Sequence, residues 1–190
     1  MTLLIAGLII FFAVHSIAIV ADDWRQRMIL KIGEWPWKGL YSVIATVGLA
    51  LIIWGYALAR QTPVVLYVPP QWLRYVALIL MVPVFPLLLS TYLPGRIQAA
   101  TRHPMLAATK FWAFAHLLVN GTLADVLLFG AFLAWAVADR ISLKHRAEPW
   151  VPRLPHSAAN DVIAVVGGLG IYVAFTLWLH TLLIGVSPLG

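Results

Sequence analysis

The sequence of 190 residues contains no cysteine. Without thiols the chain cannot form disulfides, iron–sulfur clusters, thiolate zinc sites or the thioether bonds that attach haem covalently. Any metal must therefore be held by histidine, methionine or carboxylate side chains.

Charged residues are scarce as well. They make up 11% of the chain, against 62% apolar residues, and the mean hydropathy is +0.91. Soluble domains average roughly 25% charged and 45–50% apolar residues, so this chain cannot cover its surface with polar groups in water. At roughly 20 residues per spanning helix, we expect one membrane domain over residues 1–190, with the lipid bilayer around it.

The apolar segments predict an all-α, polytopic transmembrane helix bundle. Pro83 and Pro86 should kink the third span, because proline removes backbone donors. Asn120 and Gly121 should turn the chain between the fourth and fifth spans, which then form a short hairpin. About six spans are expected, at 2–21, 39–59, 75–93, 104–119, 122–138 and 162–186.

Basic residues orient this bundle. The three loops 22–38, 94–104 and 139–161 hold ten of the 13 Lys and Arg residues and lie on one side of a six-span protein. The other side has only Arg60 and Arg74. Because basic loops stay in the cytoplasm, both termini are predicted on the outer side. The basic excess is thus a topology signal, and no nucleic-acid partner is expected.

Two loops should have structure of their own. Apolar residues at helical spacing in 24–35 predict a short interfacial helix that ends at Gly33. The apolar outer loop 61–72 contains three prolines. It should be extended and could cover the mouth of the bundle.

Two intramembrane histidines, His15 and His116, are the first candidates for a site, because polar groups in a bilayer are costly. Thr109, Trp112 and Asn120 share the helix face of His116. A histidine pair on facing helices is a common way to hold b-type haem. Alternatively, each histidine only bonds to a neighbouring helix.

Depth tests the pairing of these two histidines. If the fourth helix enters the hydrocarbon at Pro104, His116 lies about 18 Å deep and His15 about 9 Å. If Lys110 lies at the interface instead, both lie at about 9 Å and can meet in the cytoplasmic half. His180 is expected far from His15 in depth.

Arginines at the cytoplasmic end are candidates for binding an anion. Arg96, Arg102 and Arg140, near His103 and the helix start at Pro104, could hold haem propionates or a phosphate. They could equally be topology anchors. Asp139 and Arg140 are candidates for a local ion pair, and Asp125 should stabilise the start of the fifth helix.

Five segments of the chain carry a family resemblance: Val14-His15-Ser16, WKGLYS at 37–42, YLPGRIQAATRHPML at 92–106, AHLLVNGTLADVLLFG at 115–130 and WAVADRISLKHR at 135–146. With these segments the sequence resembles the NnrU family of bacterial membrane proteins. The resemblance covers nearly the whole chain and implies a multi-pass inner-membrane protein associated with denitrification, that is, with nitrite and nitric oxide reduction.

The family is similar in turn to zeta-carotene isomerase, which uses histidine-ligated b-type haem for redox-dependent isomerisation. By motif, this likeness implies His15 and His116 as ligands. Ala113 stands where the isomerase offers a cysteine, which puts ligand exchange of that kind in doubt. Isoprenylcysteine carboxyl methyltransferases are more distantly similar, through Arg102-His103-Pro104, but 144–149 has one acidic residue where they have more.

Three hypotheses follow. The first is a haem-b protein with redox or isomerase-like chemistry, served by a membrane redox partner or acting on a small apolar substrate. The second is a methyltransferase-like enzyme that uses S-adenosylmethionine near Arg102, His103 and Arg140. The third is a non-enzymatic assembly or regulatory partner in nitric oxide metabolism. Fold likeness alone does not choose among them.

Overall fold

The computed structural model describes residues 1–146, 151 and 153–190, and these residues form an all-α bundle without strands. Three helices make the N-terminal part: α1 (Thr2–Val20), α2 (Asp22–Ile32) and α3 (Glu34–Ala59). α2 confirms that the predicted short helix is present. It ends at Gly33, whose φ of 91° lets the chain turn into α3.

The third predicted span is broken in two, as its prolines predict. α4 (Leu73–Met81) and α5 (Val84–Ser90) meet at Val82 and Pro83. α6 (Arg96–Thr101), α7 (Pro104–Val119) and α8 (Leu123–Ser142) follow. α7 has the predicted boundaries, and α8 continues four residues beyond the predicted end at 138.

The last span contains a change of helix type. α9 (Ala158–Ala174) passes into a π-helical turn (Phe175–Leu179) and then into α10 (His180–Ile184). Gly185, with a φ of 78°, ends this helix in a left-handed conformation. A π-helical turn is wider than an α-helical one, so it changes the direction in which the following side chains point.

Four segments are long and apolar enough to cross a membrane: Thr2–Val20, Glu34–Ala59, Leu73–Ser90 and Ala158–Ile184. α7 is apolar but shorter. α8 has Asp125 in its first turn and Arg140 in its last turn. The membrane bundle expected from composition is therefore confirmed.

The core lies where α1, α3, α7 and α8 meet. Leu4 and Leu8 of α1 pack with Ile52 of α3 and with Leu128 and Phe129 of α8. The last span lies at the side of this core, where Gly168 of α9 packs against Pro86 of α5.

Both ends of the chain lie at one end of the bundle. Arg60 donates to the carbonyl oxygen of Ile184 at 3.0 Å, and Arg74 donates to that of Leu189 at 2.8 Å. The outer loop crosses the α7–α8 turn here, because Leu66 N–H donates to Gly121 O and Leu123 N–H donates to Val64 O, each at 2.8 Å. This end, with Arg60 and Arg74, is called the outer end below.

Candidate functional site

His116 lies in the last turn of α7, close to the outer end. Its Nδ1 lies 2.8 Å from the carbonyl oxygen of Trp112. The imidazole stacks on Phe129 of α8, with ring centroids 4.6 Å apart, and lies 5.3 Å from the Trp112 ring. A carbonyl only accepts hydrogen bonds, so Nδ1 carries the proton and Nε2 keeps its lone pair.

Among the histidines, the ring nearest to His116 is that of His180, which the sequence analysis did not name as a candidate ligand. Their centroids are 6.5 Å apart and their planes differ by 25°. His180 Nδ1 lies 2.7 Å from the carbonyl oxygen of Val186, so in the neutral ring Nε2 is the nitrogen with the lone pair, as in His116. Phe175, at the start of the π-helical turn, packs edge-on at 6.0 Å.

His15 lies in a different aromatic cluster, towards the other end of α8. It stacks on Phe11 at 4.0 Å, and Tyr41 and Trp135 lie 5.2 and 5.7 Å away. Its Nδ1 lies 2.7 Å from the carbonyl oxygen of Phe11. The indole N–H of Trp135 is buried and has no hydrogen-bond acceptor among the described residues.

The structure does not bring His15 and His116 together. His15 contacts α8 at Trp135 and His116 contacts it at Phe129, six residues or about 9 Å away along the helix. Phe132 lies between these levels and packs against both Phe12 and Trp112. The two rings therefore lie at different levels along α8, so the equal depth that the position of Lys110 allowed is not found.

Trp112 and Asn120 hold the end of α7 in place. Asn120 Nδ2 donates to the carbonyl oxygen of His116 at 2.9 Å. The Tyr67 hydroxyl, from the outer loop, reaches the carbonyl oxygens of Leu117 and of Asn120, the latter at 2.7 Å. Partial burial and the Asp125 carboxylate raise the pKa of Tyr67, which keeps this donor protonated.

The predicted anion-binding residues lie at the end of α7 opposite His116. Arg96 begins α6, where Asp161 accepts from its backbone N–H at 2.8 Å and from that of Ile97 at 3.0 Å. Arg102 ends α6 with φ 60° and ψ −45°, and His103 precedes α7. Because α7 and α8 are antiparallel, Arg140 in the last turn of α8 belongs to this end as well.

Asp139 pairs with a different arginine from the one expected. Its carboxylate binds the guanidinium of Arg146, whose Nε also donates to Ser142 Oγ at 2.9 Å. The two charged side chains are only 11% and 12% exposed.

An open groove lies beside this ion pair. It is lined by Ala18, Ile19, Asp22, Ile141, Ser142, His145 and Arg146. Of the segment 144–149, residues 147–149 lie outside the described part of the chain.

The predicted role of Asp125 at the start of the fifth helix is confirmed, because Asp125 and Thr122 form a capping box at the start of α8. The Thr122 hydroxyl and backbone N–H donate to Asp125 Oδ2 at 2.6 and 2.9 Å. Sequence reasoning missed a further donor near His116, since Tyr56 of α3 donates to Asp125 Oδ1 at 2.6 Å. Nothing in the sequence connects Tyr56, 69 residues away, to this carboxylate.

Across the residues that the structure describes, no group of three or more histidine, aspartate or glutamate side chains could hold a metal ion. Two imidazoles are enough for haem, which supplies four nitrogens of its own and takes an axial pair of ligands from the protein.

The fold and these sites define a polytopic, all-α membrane protein with histidines packed among aromatic rings. The profile of the family described as "NnrU protein" matches residues 3–188. The chain therefore belongs to the NnrU family. No curated protein and no solved structure matches it.

Proposed function

We propose that this NnrU-family protein binds b-type haem in its membrane domain, with His116 as an axial ligand. It would act in redox or nitric-oxide-linked chemistry associated with denitrification. The observation that carries the proposal is the setting of His116: an imidazole among apolar helices whose Nδ1 proton is bound by the Trp112 carbonyl at 2.8 Å. Metal-ligating histidines almost always have such a partner, which fixes the tautomer.

The chain's own residues suit this role. Phe129 and Trp112 flank the His116 ring and limit the access of water to it. A ring of fixed tautomer in an apolar site presents its lone pair without first losing a proton. Bound haem supplies a one-electron redox change and binding of small ligands such as nitric oxide.

The expected pairing of His116 with His15 does not fit this arrangement, because the two imidazoles lie at different levels of α8. A haem spanning them would require the aromatic rings between α1, α7 and α8 to move apart, among them Phe132. The protein's interior is close-packed, so such a change would be costly.

A specific observation favours a second candidate function at the other end of α7. Arg102 has a φ of 60° and a ψ of −45°, a backbone conformation that residues other than glycine rarely adopt. Strain of this kind concentrates at binding and active sites. A methyltransferase-like site for S-adenosylmethionine at Arg102, His103 and Arg140 is therefore the alternative, and titration calorimetry on wild type and Arg102→Gln tests it.

The proposed location is the bacterial inner membrane, with both termini in the periplasm. In the described chain, the basic residues of the outer end are Arg60 and Arg74. The loops 22–38, 94–104 and 139–161 at the opposite end contain ten Lys and Arg residues. The positive-inside rule then places the opposite end in the cytoplasm. A membrane redox partner or a small apolar substrate would reach the haem from the bilayer.

The haem proposal is tested by spectra of protein purified from haem-replete cells, in the oxidised and the reduced state. We expect a Soret band and a stoichiometric pyridine haemochrome in the wild type, and loss of most of the bound haem in His116→Ala. His145→Ala is the matched control, because His145 is exposed near the end of α8.

A wild-type protein without a Soret band would reject haem binding. If the same sample bound S-adenosylmethionine, the second candidate function would replace it. If it bound neither, a non-enzymatic role in assembly or regulation would be favoured.

A further inference from the structure

We infer that the second axial ligand is His180, from the C-terminal helix, so that a bis-histidine site lies at the outer end between α7 and α10. This inference rests on the proposed function, since it names the partner of His116 in the same haem site. It differs from the ligand pair that the family likeness implies, His15 with His116.

The separation of the two rings is that of an axial pair. Histidine nitrogens bind metals at about 2.0–2.1 Å, so two such bonds and two ring radii of about 1 Å each separate the centroids by about 6 Å. The rings of His116 and His180 have centroids 6.5 Å apart, with planes 25° from parallel. The centroid distance of the two rings is therefore close to that of an axial pair.

Both imidazoles are also prepared in the same way for ligation. The Nδ1 proton of His116 is bound by the Trp112 carbonyl at 2.8 Å, and that of His180 by the Val186 carbonyl at 2.7 Å. Nε2 is therefore the free nitrogen in each ring, and no described residue donates a hydrogen bond to it. A backbone carbonyl behind a ligating imidazole is a common outer-shell partner of metal sites.

The local backbone explains how His180 reaches this position. The π-helical turn Phe175–Leu179 ends directly before His180. Such turns are rare and occur often at functional sites, because the extra residue redirects the side chains that follow. Gly185, at a φ of 78°, then turns the chain so that Val186 returns its carbonyl to His180.

The position of α10 leaves a way in for a flat ligand. α10 packs chiefly against the π-helical turn before it, and Leu182 and Leu183 are exposed. Any adjustment needed to admit a macrocycle between the His116 and His180 rings would fall on this peripheral helix, and the core of α1, α3, α7 and α8 would stay in place.

A cation is available at the same end for the propionates. Arg60 donates to the Ile184 carbonyl at 3.0 Å, one helical turn beyond His180, and its guanidinium lies 5.9 Å from the centre of the Tyr56 ring. Guanidinium groups bind carboxylates in a bidentate manner. The geometry thus assigns this role to Arg60, whereas Arg96, Arg102 and Arg140 lie at the opposite end.

The test compares spin states in purified holoprotein by absorption and electron paramagnetic resonance. We expect a low-spin, six-coordinate ferric signal in the wild type and in His15→Ala. His180→Ala should change to a high-spin, five-coordinate signal, and added imidazole should restore the low-spin signal.

The role of Arg60 is tested by the rate of haem release. Arg60→Gln should release haem to apomyoglobin at least about tenfold faster than Arg102→Gln, because outer partners of a metal site contribute about 10–100-fold.

A low-spin spectrum retained in His180→Ala, or lost in His15→Ala, would overturn the assignment of His180 while leaving haem binding intact. Absence of haem from the wild type would instead reject the proposed function itself. If His180→Ala fails to fold, His180→Met still decides the question, because a thioether ligand changes the reduction potential and the low-spin signal only when residue 180 binds the iron.

Discussion

At the scale of single residues, several hydrogen-bond donors converge on the buried carboxylate of Asp125. Asp125 is 5% exposed, and its two oxygens receive hydrogen bonds from Tyr56 and from both the hydroxyl and the backbone N–H of Thr122. An unpaired carboxylate in this position would carry a desolvation cost of several kcal/mol. The network joins α3 to the start of α8 and so stabilises the outer end beside His116.

We predict that Asp125→Ala lowers the free energy of unfolding by about 2–3 kcal/mol, because it removes a helix cap and leaves the partly buried Tyr56 hydroxyl without an acceptor. Tyr56→Phe should lower it by about 1 kcal/mol. Thermal unfolding in detergent measures both, with the exposed Asp23→Ala as the control. Equal midpoints for Asp125→Ala and Asp23→Ala would show that the network adds no stability.

The pairing of Asp139 shows the limit of reading neighbours from sequence. Consecutive residues on a helix point about 100° apart and do not face each other, so Arg140 cannot fold onto Asp139. The chain leaves the helix after Ser142, and the turn returns Arg146 to the Asp139 carboxylate. An adjacent arginine was the wrong partner because distance along the chain is not distance in space.

At the scale of helices, α1 and α3 approach each other through glycine. A Cβ on Gly7 would lie 2.6 Å from the backbone nitrogen of Ile52, and one on Gly48 would lie 2.8 Å from that of Phe11. A Cβ on Gly55 would meet the backbone of Leu4. Within lipid, helices associate through such close packing, because burial of apolar surface gives little driving force there.

We predict that Gly48→Leu separates α1 from α3 and prevents recovery of a monodisperse protein, since backbone atoms cannot give way to the new side chain. Gly39→Leu on the same helix is the matched control, because a Cβ there meets no atom within 4 Å. Size-exclusion profiles and yields in mild detergent report the difference. Similar behaviour of the two variants would contradict the close-packing argument.

Local signals predicted the helices well and the spatial neighbours of the histidines poorly. Pro104, Asn120 and Gly121 set the boundaries of α7, and Pro83 divides the third span, because each acts on its own stretch of backbone. α3 starts at Glu34, earlier than predicted, and a Glu34–Lys38 pair at 2.7 Å holds its first turn. The proximity of His180 to His116 depends on a π-helical turn and on packing between distant helices, which no local pattern encodes.

At the scale of the whole molecule, the basic residues and the two chain termini are distributed along the same axis of the bundle. Arg60, Arg74 and the C-terminal tail share the outer end, where the two arginines bind tail carbonyls. Met1 lies there as well, because Leu4 packs beside Gly55 near the end of α3. The His116 and His180 rings thus lie near the end of the bundle that holds Arg60 and Arg74, whereas His15 and the arginine-rich loops lie towards the opposite end.

The absence of cysteine makes this axis directly measurable, because any introduced thiol is the single reactive one. In intact cells, a membrane-impermeant maleimide should label Gln61→Cys and Ser187→Cys, and should label Lys31→Cys and Lys144→Cys only after permeabilisation. All four residues are exposed, so access depends on the side of the membrane.

Two labelling results would contradict this topology. Labelling of Lys31→Cys and Lys144→Cys alone would show that the orientation is the reverse of the predicted one. Labelling of Gln61→Cys without Ser187→Cys would require an odd number of crossings between them. Either result would remove the periplasmic setting of the proposed haem, whereas the expected one leaves His116 and His180 within reach of a periplasmic electron donor.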